Sequence, residues 1–195
     1  MQIEKIKQLA KKFRKAIEAA KCANEFNNND IFNRFPRGCC GITSELLGEY
    51  LIKNGIETIV VSSNCGEDEN NKSHAWLVIK DDKIKKPTQK KLSLSYDLRE
   101  IMIGYGAQET MFNNDGTLYE ENDICDGVII DITADQFVDY NKSVYVGEID
   151  DFHKLFKFSD AHDFKSFEIK EISSLSEVQE DNTLENLYKI IEKYL

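Results

Sequence analysis

The runs IETIVVS (56–62), SHAWLVI (73–79), GVIIDIT (127–133) and SVYVGEI (143–149) constrain the fold of this chain most. Each is short, rich in β-branched or aromatic residues and bounded by polar or glycine-containing segments, so each reads as a strand. Two helical patterns precede them. Ile3, Ile6, Leu9, Ala10, Phe13, Ile17 and Ala20 recur at spacings of three and four, which predicts an amphipathic helix over 2–22. Leu46, Leu47, Tyr50 and Leu51 mark a second helix over about 40–53, closed by Asn54-Gly55. A third helical pattern lies near 183–194, and DFHKLFKF is left unassigned. Helices followed by strands, instead of alternating with them, predict an α+β protein with helices packed on an antiparallel sheet.

The 195 residues fit one domain with room for an insertion. That insertion is Lys80 to Asp126: adjacent antiparallel strands normally need a loop of a few residues, and here a long polar segment separates the second and third. The hydrophobic fraction of 41% supplies a sizeable core. A net charge of −10, spread along the chain, argues against nucleic acid or an anionic membrane as the main partner. No apolar run reaches the ~20 residues of a membrane span, and the N-terminus lacks the apolar core of a secretory signal. A cytoplasmic protein is expected. Five cysteines without a repeating framework, at 22, 39, 40, 65 and 125, fit free thiols in a reducing compartment.

The chemistry-bearing residues sit at the ends of these elements. RFPRGCCGIT places Cys39 and Cys40 between two glycines at the start of the second helix, His74 opens a strand, and Asp131 ends another. A free thiol of pKa near 8.5 is only a few per cent thiolate at neutral pH, so a nucleophile needs help. A helix N-terminus offers partial positive charge and unpaired N–H groups, and an imidazolium stabilises the thiolate further. A carboxylate then fixes the ring's tautomer and orientation. The helical period does not choose between the two thiols, which flank the apolar face on opposite sides. Gly41 favours Cys40, because a missing side chain leaves room for a carbonyl to approach.

The blocks FPRGCCGITSELLGEYL, SHAWLVI and VIIDITADQF resemble the Cys-His-Asp proteins of the transglutaminase-like and papain-like superfamily. More narrowly, they resemble small bacterial transglutaminase-like proteins with an FPxGxCG, HAW and IIDITADQF pattern. The resemblance implies a nucleophile helix packed on an antiparallel sheet. It also implies Cys40 as nucleophile, His74 as base and Asp131 as its orienter, with no cofactor. The insertion departs from the family, in which the His and Asp strands follow each other closely. Position 39, small in the pattern, is a second cysteine here, either a redox partner or idle.

The expected function is cysteine-dependent acyl chemistry on an amide through a thioester, as a peptidase, amidase, deamidase or transglutaminase-type transferase acting on a protein or peptide. Two alternatives stand beside it. Arylamine N-acetyltransferases share the Cys-His-Asp logic and an R-G-x-C run, here Arg37, Gly38, Cys39 and Cys40, and a non-catalytic interaction module could retain a vestigial triad. Zinc would need Cys39, Cys40, Cys65, Cys125 and His74 to converge, yet neither C-x-x-C nor H-x-x-x-H occurs. The Cys40 N–H is the first oxyanion donor, with Asn33 or Asn64 as candidates for a second. Trp76 shares His74's side of the strand and either shields the site or fills core. His153 and His162 read as surface residues. Asp135 and Gln136 read as a polar turn or, for Gln136, as a group that bonds within the site.

Overall fold

The computed structural model describes residues 3–65, 72–80, 127–167 and 184–195. Within them, three helices pack on a five-stranded antiparallel sheet. Helix α1, Ile3–Cys22, buries Ile6, Ala10, Phe13, Ala16, Ile17 and Ala20 as one stripe, the predicted amphipathic face. Helix α2, Cys40–Lys53, buries Leu46, Leu47, Tyr50 and Leu51 together with the polar Thr43, Ser44 and Glu49, as expected of a helix enclosed by neighbours. It ends where Gly55, at φ +76°, lets the N–H groups of Gly55 and Ile56 turn back onto Ile52 O and Leu51 O.

Strands β1, Thr58–Cys65, and β2, Lys72–Ile79, form the central ladder, with Val61 opposite Trp76 and Ser63 opposite His74. Strand β3, Ile129–Asp131, pairs with β2, and β4, Tyr145–Gly147, pairs with β3. Strand β5, Lys157–Asp163, pairs with the other side of β1, giving the order β4-β3-β2-β1-β5. Helix α3, Leu184–Glu192, returns to α1 and α2 and buries Leu187, Tyr188 and Ile191. None of the described helices is long and apolar enough to cross a membrane.

Several expected bounds shift. β1 begins at Thr58 instead of 56, because the Ile56 N–H is spent on the α2 terminus, and it continues to Cys65. β3 stops at Asp131, two residues early. There the carboxylate Oδ1 accepts from Thr133 N–H at 2.8 Å and Thr133 Oγ1 at 3.2 Å, a local turn that pulls the backbone out of the ladder. DFHKLFKF resolves into a 3-10 turn, His153–Leu155, and the start of β5. Apart from Lys80, the expected insertion of Lys80 to Asp126 lies outside the described residues, and so does Cys125. Its flanks are adjacent: β2 and β3 are antiparallel neighbours, and Ile79 N–H donates to Val128 O at 2.9 Å.

Strand alternation divides the core. Val60, Leu77, Ile79 and Ile130 face the helices, whereas Ile59, Val61, Trp76, Val78 and Ile129 face the other way, onto Phe156 and Ala161. His74 and Asp131 share the parity of Trp76 and Ile129, so they belong to this second face. The two layers are tied by Arg14 of α1. Its guanidinium donates to both Asp135 oxygens at 2.7 and 2.8 Å, to Ile132 O at 2.6 Å and to Ser143 O at 3.0 Å, clamping the turn that follows β3.

Candidate active site

The loop into α2 decides which thiol is available. Gly38 adopts φ +70°, a conformation that costs glycine little, and this turn delivers Cys39 to the N-cap and Cys40 to the first helical position. Cys39 is 1% exposed, packs in the helix-side core and donates its S–H to Pro36 O at 3.3 Å. Burial pushes its thiol up to about 11. Cys40 is half-buried and sits among the first N–H groups of α2, which have no intrahelical acceptor. Cys39 thus fills core on the helix side of the sheet. A Cβ at Gly41 would meet nothing within 4 Å, so the space beside Cys40 is open.

The thiol comes from the helix layer and the imidazole from the opposite face of the sheet, and they meet beside the β2 backbone. The Cys40 thiol is influenced by three neighbours, the His74 side chain, the Ala75 backbone and the Gln136 side chain. Burial would raise this thiol, but those three partners and the charge on His74 outweigh it and hold Cys40 below the ordinary cysteine value. His74 is 1% exposed and donates Nε2–H to Asp131 Oδ2 at 2.6 Å. That bond commits Nε2 and leaves Nδ1 free of the carboxylate, with the Gln136 amide 3.2 Å from it. Burial works against the charged ring here too, yet the Asp131 charge and hydrogen bond, with Cys40, raise it to about 9. At neutral pH the two shifts together favour a thiolate–imidazolium pair.

Asp131 is buried at the end of β3, and both of its oxygens are occupied. Oδ1 takes the two Thr133 donors, and Oδ2 takes His74 while also facing His153 Nε2 at 3.2 Å. Desolvation opposes its charge, but the two imidazoles hold its carboxyl far below the usual carboxylate range. The carboxylate therefore cannot rotate without losing a partner. Aromatic rings surround the His74 imidazole: Phe137 edge-on at 5.0 Å, Phe156 at 5.4 Å, Trp76 at 5.5 Å and Phe152 at 6.2 Å between centroids. Trp76 thus both fills core and shields the site. Such a wall keeps water from the ring and strengthens each electrostatic contact behind it.

His153 is a correction. It is fully buried, not a surface residue, because Asp150 Oδ1 accepts its N–H at 3.1 Å and lies 2.6 Å from its Nδ1, which folds the ring inward onto Asp131. Tyr140 Oη donates to the other Asp150 oxygen at 2.9 Å, so a chain runs from Tyr140 through Asp150 and His153 to Asp131. The Asp-x-x-His spacing of 150–153 is the local signal for that turn. His162 is half-buried instead, with Nε2 3.1 Å from Glu45 Oε1 on α2.

A side-chain amide does reach His74, that of Gln136. The 3-10 turn Ala134–Gln136 carries it back over the site, where its Nε2 lies 3.2 Å from His74 Nδ1 and its Oε1 accepts from Gly38 N–H at 3.1 Å. Asn33 is exposed in the 3-10 turn Phe32–Arg34, and Asn64 lies in the ladder between β2 and β5. The Gln136 signal in the sequence was its position between the inward-facing Ala134 and Phe137, close behind Asp131.

The donors of His74, Asp131 and His153 lie within 4.8 Å of one another, a spacing compatible with a metal ion. The 2.6 Å contact between His74 Nε2 and Asp131 Oδ2 fits a hydrogen bond and not two ligands of one tetrahedral ion, which sit ~3.3 Å apart when each bond is ~2 Å long. A cation there would have to part that pair, and the thiol of Cys39 points away to Pro36. No family model, no curated protein and no solved structure matches this chain.

Proposed function

We propose that the protein is a transglutaminase-like or papain-like Cys-His-Asp enzyme that carries out acyl chemistry on an amide, with a protein or peptide as substrate. One observation carries the reading: a half-buried thiol at a helix N-terminus is lowered by an imidazole whose Nε2 is committed to a buried carboxylate at 2.6 Å. Cys40 Sγ attacks the carbonyl carbon, the electron pair of the C=O bond moves to oxygen, and the Cys40 N–H at the helix start receives that charge. Collapse of the adduct breaks the C–N bond, and the leaving amine takes a proton from His74. The thioester is then resolved by water or a second amine, whose proton passes to His74 as a new C–O or C–N bond forms and Sγ leaves.

A limiting iodoacetamide pulse over pH 5 to 9, with mapping of the modified cysteine, tests the reading. Labelling selective for Cys40, with a midpoint well below the pKa of about 8.5 for a free thiol, is the expected result. Slow labelling of all cysteines, unchanged in His74→Ala, would sink the proposal.

A further inference from the structure

We propose that His153 is a positioning residue that acts through Asp131: it shares the Oδ2 atom with His74 and so limits how tightly the triad carboxylate holds the His74 ring. This role rests on the reading of His74 as base and acid given above. One oxygen lies between two imidazoles, with His74 Nε2 at 2.6 Å and His153 Nε2 at 3.2 Å. The rings are 28° from parallel, with centroids 6.4 Å apart.

Both nitrogens of His153 face acids. Nδ1 lies 2.6 Å from Asp150 Oδ1 and Nε2 faces Asp131 Oδ2, and an ionised carboxylate only accepts. Burial opposes the charge on both acids, yet partners that include His153 hold each of them below the usual carboxylate range. A ring between two charged carboxylates satisfies both only with a proton on each nitrogen, so the fully buried His153 is a cation between them. Around this pair, Tyr140 Oη donates to Asp150 Oδ2 at 2.9 Å, Lys142 Nζ stands 3.6 Å from that oxygen, and the Tyr145 ring of β4 is 5.2 Å from the His153 ring between centroids. His74 meets Cys40 from α2 and Gln136 from the turn after β3.

His153 is not free to follow Asp131. Asp150 Oδ1 also accepts the His153 N–H at 3.1 Å, which ties ring and backbone to one acid, and Trp76 meets the ring edge-on at 5.1 Å. Thr133 anchors the other Asp131 oxygen, so His153 bears on Oδ2 alone. The consequence is chemical. His74 must give its proton to the leaving amine, and a carboxylate committed to His74 alone would hold the imidazolium harder. An acid–base group works best when its proton is released near the operating pH. The unequal contacts to Oδ2 leave His74 the larger share of the carboxylate and divert a smaller one to His153.

With only three histidines in the chain, imidazole NMR tests the proposal directly. In protein carrying 15N-labelled histidine, the ring-nitrogen shifts separate protonated from bare nitrogens. Wild-type His153 is expected to carry a proton on both at neutral pH. A bare Nε2 cannot donate to Asp131 and would overturn the proposal without recourse to any variant.

The His74 titration is the second readout. In His153→Phe, which keeps a ring but neither charge nor donors, its midpoint is expected to rise from about 9 by about one pH unit, the low end of what a neighbouring charge does. His153→Gln restores a neutral donor, and a smaller rise is expected. A melting transition shows that each variant folds. A role confined to packing leaves the His74 midpoint unchanged, and a role confined to orienting the carboxylate lowers it; either result in a folded variant overturns the proposal while the triad stands. The iodoacetamide pulse remains the separate test of the triad, which a wild-type Cys40 without selective alkylation overturns whatever the state of His153.

Discussion

Asp131 holds the site's charge balance, because four groups meet its two buried oxygens. Asn at this position keeps the shape, but its amide nitrogen cannot accept, so at least one of those partners is left unpaired. Asp131→Asn is expected to cost about 3–5 kcal/mol in urea unfolding, the usual penalty for breaking a buried ion pair. The Cys40 alkylation midpoint is expected to rise toward that of a free thiol. The pH dependence follows from the signs. Cys40 is held low, so reactivity rises through a midpoint below the ordinary thiol value; His74 is raised to about 9, so steps that need its proton fade as pH climbs through that value. Acylation by p-nitrophenyl acetate is not expected to share that upper limb, since p-nitrophenolate needs no acid, whereas amide cleavage is. A missing limb on an amide substrate would show that His74 is not the acid. For stability, the raised histidine contributes below its unfolded value near 6.5 and loses that contribution as pH rises through about 9. The depressed Asp131 contributes above about pH 3.9 and loses it as pH falls toward its lowered value. Cys40, His74 and Asp131 were legible in the sequence because each sits at the end of an element, where a polar residue is conspicuous. His153 was not, since an imidazole amid acidic residues looks solvated until the fold closes over it.

At the scale of elements, α2 does two jobs: its N-terminus presents Cys40, and its middle must lie close to the chain that follows β5. Gly48 makes that approach possible. A Cβ there would lie 2.6 Å from Phe164 Cδ2 and 2.7 Å from its Cγ, and the ring is 7% exposed, so it has little room to retreat. Gly48→Ala sets a helix-propensity gain of roughly 1 kcal/mol against an overpacking cost of about 1–3 kcal/mol. The variant is expected to be less stable than the wild type by denaturant titration; a stabilised variant would mean that Phe164 swings aside freely. Glu49, next in the helix, pins the same segment by accepting from Phe167 N–H at 3.0 Å and Ser166 Oγ at 3.2 Å. The helices were legible from their period, and four of the strands from β-branched or aromatic runs bounded by polar or glycine-containing segments. β5 was not, because KFSDAHD carries no apolar alternation. It becomes a strand through tertiary context: β1 offers it a ladder, with a register shift at Ser62/Ser63, and an edge strand needs only one buried side.

At the scale of the whole molecule, the separation of His74 from Asp131 along the chain contrasts with their contact at 2.6 Å. The sequence expectation of an insertion rested on the two strands being neighbours, and β2 and β3 are hydrogen-bonded neighbours whose last described pair, Ile79 N–H to Val128 O, closes the ladder at its open end. The flanks Lys80 and Gly127 therefore stand a hairpin's width apart. Asn-Gly is the two-residue connection whose backbone twist suits antiparallel strands. Replacing 81–126 with Asn-Gly is expected to preserve cooperative unfolding, since the ladder keeps its register and the shorter loop costs less entropy to close. The low Cys40 alkylation midpoint should survive as well, because Cys40, His74, Asp131, Ala75 and Gln136 all lie outside the replaced segment. A folded replacement whose Cys40 reverts to ordinary thiol behaviour would place a necessary part of the site within 81–126. A replacement that no longer unfolds cooperatively would show instead that this segment completes the core. If both properties persist, the electrostatic machinery belongs to the α+β framework, and the segment's contribution must be sought in what reaches Cys40 and not in how the thiol is activated.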